Sequence, residues 1–219
     1  MSRNRHQRRR GRRRSGKKLG RDMRAVLIRQ VAHFPLRECC INENWQDQRM
    51  ASITFARNRP DGRVAVAAFV VDLGCLGVKS AFANPAITLS EYESRLAQGQ
   101  ATKQIRCDPA FAVKLIQGAY EYAKQLGFGP DPDYYYSKEI FGSIDPTSCT
   151  ETIEYGRDGK PFYFAGPYDD VDKIMNHLTQ KLGRDGFHFV VPLSPTEGFY
   201  PVGEGDEEGE DDAWDEDEE

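Results

Sequence analysis

The sequence predicts an α+β domain: a mixed or antiparallel sheet built from two hairpins plus a terminal strand, two main helices on one face, and a disordered charged tail at each end. Three observations carry this reading. Residues 63–72, RVAVAAFVVD, are almost continuously apolar, as in a central strand buried on both faces. Residues 108–127 form the best-delimited helix pattern in the chain. Residues 167–182 form a second one, with Val171, Ile174, Met175, Leu178 and Leu182 on a single stripe.

Taken in order, residues 22–34 fit two elements. Met23, Val26, Leu27 and Val31 suit a helix capped by Asp22, whereas residues 25–31 also suit a strand, and Pro35 ends either one. Residues 36–41 read as a short strand before a polar loop, 42–48. Residues 52–57 alternate, with Ile53 and Phe55 on one face. The turn Asn58-Arg59-Pro60-Asp61-Gly62 joins them to the apolar run as a hairpin. Gly74-Cys75-Leu76-Gly77 breaks the second strand. Ser90 and Glu93 form a capping box for a short helix reaching about Gln98.

The central helix follows. Asp108 caps it and Pro109 takes the first helical position, where a missing N–H costs nothing. Gly127 suits the left-handed position after its end, Phe128 closes the contact there, and Pro130 prevents continuation. Phe111, Leu115, Ala119, Tyr122 and Leu126 share its buried face, and Gly118 and Ala119 permit close backbone approach. Residues 129–148 are a loop rich in Pro, Asp and Tyr. Residues 152–155 and 161–165 read as a second hairpin around Asp158-Gly159. Gly183 ends the last helix, and residues 187–191 form a final strand.

The 219 residues carry a net charge of -4, an average that hides a separation. Residues 1–21 hold eleven Lys or Arg and no acid; residues 204–219 hold twelve Asp or Glu and no base. The expected organisation is a basic disordered arm at 1–21, one α+β domain at 22–203, and an acidic disordered tail at 204–219. No apolar run approaches the about 20 residues that span a bilayer. No apolar stretch follows the basic leader, which argues against a secretory signal. Five cysteines without C-x-x-C spacing argue against a disulfide framework and for a reducing cytoplasm.

Three stretches look alike to a known group when taken together. They are Cys75-Leu76-Gly77-Val78-Lys79, then Gly118-Ala119-Tyr120-Glu121-Tyr122-Ala123 leading to Leu126-Gly127-Phe128, then YGRDGKPFYFAGPYD at 155–169. In that order they resemble an uncharacterised family of bacterial domains. The resemblance spans roughly residues 36–190 and neither tail. It implies a bacterial cytosolic α+β domain and transfers no catalytic residue.

The sharpest functional signal is the arm. Arg8, Arg9, Arg10, Arg12, Arg13 and Arg14, with Lys17 and Lys18, are candidate nucleic-acid contacts. Each would neutralise a phosphate and release counterions, giving a salt-dependent, sequence-blind affinity. Guanidinium adds bidentate phosphate bonds that an ammonium lacks. The bland alternative is a solvated basic tail. The acidic tail around Trp214 mimics a polyphosphate and would bind the arm or a basic client protein; the bland alternative is a solubilising segment.

Within the body, Cys75 sits at a glycine-flanked turn with Lys79 nearby, where a nucleophile would fit, but no histidine can be assigned beside it: His6, His33, His177 and His188 are distant in sequence. A packed structural thiol is the commoner outcome, and the adjacent Cys39 and Cys40 are expected to split between core and surface. Asp131, Asp133 and Glu139 form a loose acidic loop without metal-ligand spacing. Gly127-Phe128-Gly129 ends a helix instead of opening one, which disfavours a nucleotide turn. Tyr134, Tyr135 and Tyr136 could stack bases together with Tyr163, which alternation places opposite Phe162 and Phe164 as the surface aromatic. The expectation is therefore a non-enzymatic RNA or ribonucleoprotein binding module, without metal, cofactor or membrane. A small hydrolase near Cys75 and a protein-interaction domain with solubilising tails are the alternatives.

Overall fold

The computed structural model describes residues 22–98 and 103–191, so the arm and the acidic tail lie outside the described residues. Residues 22–31 are helical, here α1, which decides the ambiguity between helix and strand. Ile28 and Val31 are its buried side chains. Met23, Val26 and Leu27, expected on the same stripe as Val31, are exposed. The chain continues through β1 (Leu36–Asn42), α2 (Trp45–Gln48), β2 (Met50–Asn58), β3 (Val64–Asp72), β4 (Gly77–Ile87) and α3 (Leu89–Gln98). Then come β5 (Gln104–Arg106), α4 (Pro109–Gln125), α5 (Tyr134–Ser137), β6 (Phe162–Phe164), α6 (Val171–Leu182) and β7 (His188–Val190).

β1 to β5 form one antiparallel sheet in the order β4-β3-β2-β1-β5. The predicted first hairpin is present, with Thr54 opposite Ala68 and Asn58 opposite Val64. Its loop is held by Asp61, which accepts from the Arg59 and Arg63 guanidinium groups and from the Arg63 amide. β3 is buried on both faces over its first half, as its apolar sequence leads one to expect, and opens to solvent on one face at Val70. Ala65, Ala67, Phe69 and Val71 join the main core with Phe55, Leu115 and Ile116. Val64 and Val66 point the other way, into a small cluster with Ala56, Ile87 and Tyr92 of α3.

α4 matches its sequence signals closely. Asp108 accepts from the Ala110 amide at 2.6 Å, and Pro109 opens the helix. At the other end Gly127 takes φ +91, the Phe128 amide donates to Ala123 O and the Gly127 amide to Lys124 O. Those two bonds satisfy carbonyls that the helix end would otherwise orphan. A side chain at Gly77 would meet Ala123 Cβ at 2.6 Å, and one at Gly118 would collide with the Tyr155 ring. Those two glycines set how closely α4 can lie against the start of β4 and against Tyr155.

Several expectations are corrected. β4, the longest strand, and the short β5 were not foreseen. The second hairpin does not form: Asp158 and Gly159 make the tight turn, with φ 50 and 74, but β6 pairs in parallel with β7. The α+β class itself holds, an antiparallel five-stranded sheet with helices against it. α4 covers one face of the sheet, α3 part of the other, and α6 packs its predicted stripe into a separate cluster with Leu126, Tyr163 and Phe187. α3 is capped by Thr88, whose hydroxyl accepts from the Glu91 amide, and Ser90 lies inside the helix. α6 starts at Val171, capped by Asp170, because residues 167–168 form a turn.

One buried cation ties three segments together. Arg57 of β2 is 6% exposed and donates to Phe34 O, Ile140 O and Phe141 O at 2.8–2.9 Å. Replacing it with Met fills similar volume but takes the donor from the Phe34 and Ile140 carbonyls, each worth about 1–3 kcal/mol when left unpaired, while Phe141 O keeps the Ile144 amide. Arg57→Met should therefore lower unfolding free energy by about 2 kcal/mol or more, read as a lower urea midpoint at unchanged slope.

Candidate functional site

A cleft of about 460 Å³ opens where the second cluster meets the end of α4. Leu76 and Val78 of the β3–β4 turn and early β4 make an apolar floor, and the Gly127–Gly129 loop forms one wall. Asp170, Lys173, Ile174 and His177 of α6 form the other, and Lys79 stands at the rim.

The charges in this cleft differ in how they are satisfied. Lys79 Nζ holds both Asp169 oxygens at 2.8 Å, and the Gly166 amide donates to the same carboxylate at 2.9 Å. Burial pushes the Asp169 carboxyl up, but the Lys79 ammonium and the Gly166 amide outweigh it and leave it low. Lys173 has no carboxylate partner among the described residues. The His177 ring lies against Phe128 with centroids 4.8 Å apart, and its Nε2 is 2.8 Å from Leu126 O. A carbonyl only accepts, so Nε2 is the donor and Nδ1 faces away from that bond.

Behind the floor lies a sealed polar group. Asp72, 3% exposed, accepts from the Cys75 amide at 2.7 Å and the Leu76 amide at 3.1 Å. Burial raises its carboxyl above the ordinary 3.8 despite those amides. Cys75 is fully buried, and burial together with the Asp72 carboxylate pushes its thiol up. A nucleophilic cysteine needs the opposite: access, and a lowered pKa. Cys75 therefore reads as a packing thiol, and Lys79 spends its charge on Asp169.

The other sequence candidates fall as follows. Arg8, Arg9, Arg10, Arg12, Arg13, Arg14, Lys17, Lys18 and Trp214 lie outside the described residues. The tyrosines do not converge: Tyr134 and Tyr136 are buried in the main core and Tyr163 in the second cluster. Alternation placed Tyr163 outside, but Tyr163 is fully buried and Phe164 is the exposed aromatic. Phe162 is buried as well, so β6 is covered on both faces at Phe162 and Tyr163 and opens only at its end. Asp131 accepts from the Asp133 amide in an ordinary turn, and Glu139 pairs with Arg29. Among the described residues no group of three or more His, Cys, Asp or Glu could hold a metal ion. Among them, too, no helix is long and apolar enough to cross a membrane. Cys39 and Cys40 do not split between core and surface, since both are buried. Nothing in the spacing of the cysteines pairs Cys39 with Cys107, yet their sulfurs are 3.5 Å apart.

Comparison with protein-family models, with curated proteins and with solved structures returns no match, so the site is read from its geometry alone.

Asp72 generates a pH-dependent expectation. A carboxyl whose pKa is higher folded than unfolded costs stability as pH rises from the unfolded value through the folded one. Asp72→Asn keeps an accepting oxygen and loses the charge, while the opposite-signed effect of Asp169 is common to both chains and cancels. Urea titrations should show Asp72→Asn gaining stability over the native chain between about pH 4 and about pH 7.5. Asp72→Ala should lose about 2 kcal/mol at both, because the Cys75 and Leu76 amides lose their acceptor.

Proposed function

We propose that this chain is a binding module that associates with RNA or a ribonucleoprotein through its arginine-rich arm, with the acidic tail as an internal competitor. The carrying observation is the segregation of charge: eleven cations without an acid at one end, twelve acids without a cation at the other. Arg8, Arg9, Arg10, Arg12, Arg13 and Arg14, assisted by Lys17 and Lys18, supply the phosphate contacts.

Two features of the body support this reading. The arm leads directly into α1, which Ile28 and Val31 anchor in the main core, so a grip by the arm is mechanically joined to the domain. The rival reading, a hydrolase centred on Cys75, would need a thiol that reaches substrate, and Cys75 does not. Five cysteines without a disulfide go with a reducing, cytoplasmic setting.

Filter binding to a single-stranded RNA over a salt series tests the proposal. With six arginines each on a phosphate, log affinity should fall with log salt at a slope of about -4. Deleting residues 1–21 should abolish that affinity, and deleting residues 204–219 should raise it. Equal binding without the arm, or indifference to salt, would refute it.

A further inference from the structure

Cys39 and Cys107 stand apart from the other thiols. Cys107 directly follows β5 and continues its antiparallel register with β1, where Cys40 faces Arg106 and Ile41 faces Ile105. One step further, Cys107 faces Cys39, and the Cys107 amide donates to Cys39 O at 3.0 Å. Residues directly opposite in such a pair lie about 4.5–5.5 Å apart at Cα, inside the about 4.4–6.8 Å span that a disulfide bridges. The sulfurs are already in contact at 3.5 Å.

The two thiols are not equivalent. Cys39 is 3% exposed, whereas Cys107 is half-buried and reaches the surface. Cys107 precedes Asp108, the cap of α4, so it lies at the positive end of a 17-residue helix, a setting that favours a thiolate. The Asp108 carboxylate opposes this, but its oxygen is turned to the Ala110 and Phe111 amides. The contact with the Cys39 thiol pulls the Cys107 pKa down against burial and Asp108. The same contact, together with burial in the core, pushes the Cys39 thiol up.

We infer that Cys39 and Cys107 are a reversible oxidation site, with Cys107 as the sulfur that attacks a hydroperoxide and Cys39 as the sulfur that resolves it. In the first step the Cys107 thiolate attacks one peroxide oxygen. An S–O bond forms and the O–O bond breaks, leaving a sulfenic acid and, after protonation, water or an alcohol. Sulfur is oxidised by two electrons and the peroxide is reduced. In the second step Cys39 sulfur attacks Cys107 sulfur, the S–O bond breaks, and hydroxide leaves as water with the Cys39 proton. A small dithiol returns the pair to thiols by exchange, itself becoming a disulfide. The bond would staple the three-residue edge strand β5 to β1.

The test treats the full chain with stoichiometric hydrogen peroxide, blocks residual thiols with N-ethylmaleimide, and maps peptides by mass spectrometry. The expected product is a Cys39–Cys107 crosslink that dithiothreitol reverses. Cys107 should be consumed at least about tenfold faster than Cys149, which is similarly half-buried but follows only a single 3-10 turn. In Cys39→Ser, or Cys39→Ala should that variant fold better, dimedone should trap a sulfenic acid on Cys107. Crosslinks to another cysteine, dimedone on Cys39 in the native chain, or equal rates for Cys107 and Cys149 would each overturn the assignment.

Discussion

β3 carries Ala65, Ala67, Phe69 and Val71 on one face and Val64 and Val66 on the other, and all six are buried. A strand buried on both faces over most of its length must find partners on four sides there. Its amides and carbonyls are paired by β2 and β4, since an unpaired buried backbone group costs as much as a lost hydrogen bond. One face takes α4 and the other takes α3. The small alanines leave room that aromatic rings fill: Phe69 meets Phe55 edge-on at 6.2 Å and Phe141 at 5.3 Å. The α3 side is only half covered. Beyond Tyr92 and Leu96 the face opens at Val70 and Phe82, where the Arg95 guanidinium sits 5.7 Å over the Phe82 ring.

The second cluster hangs from the turn at the end of that strand. Leu73 O accepts from the Gly156 amide and Gly74 O from the Phe162 amide, so the β3–β4 turn supplies the anchor for β6. Asp72 fixes the turn from inside, and β7 and α6 then pack onto β6. A two-stranded pair is marginal in isolation, and this one persists because Tyr163, Leu178 and Phe187 share a core with Leu126 at the end of α4. The cleft is the seam of this arrangement, the place where a helix terminus, a turn and a helix flank meet without filling the space between them.

What the sequence made legible follows the range of the interactions involved. The caps and ends of α4 depend on Asp108, Pro109, Gly127 and Phe128, all adjacent to the helix, and they were readable. The hairpin around Asp61 and Gly62 was likewise local. β4 was hidden because Lys79, Ser80, Asn84 and Pro85 break its alternation, which an edge strand tolerates. Residues 152–165 were misread because Asp158-Gly159 does turn the chain, yet the partner of β6 arrives from β7. The side that Tyr163 buries, the seal over Cys75 and the meeting of Cys39 with Cys107 all depend on contacts between distant segments, which periodicity does not encode.

α4 links the two places where the body has chemistry to offer. Its N-terminus begins beside the Cys39–Cys107 pair, and its C-terminus forms a wall of the cleft. Seventeen residues put those ends about 25 Å apart, well beyond the about 8 Å over which charge is felt at physiological salt. The cations at Lys79 and Lys173 thus do little to the thiols, and oxidation of the thiols does little to the cleft electrostatically. Any coupling would have to be mechanical. The cap at Asp108 is the rigid step in that route, because Cys107 cannot shift far without disturbing the bonds that Asp108 makes to Ala110 and Phe111. The disulfide geometry asks for little shift, since the sulfurs already touch. The thiol pair is thus placed at one sheet edge, where a change of its covalent state leaves the rest of the described fold undisturbed.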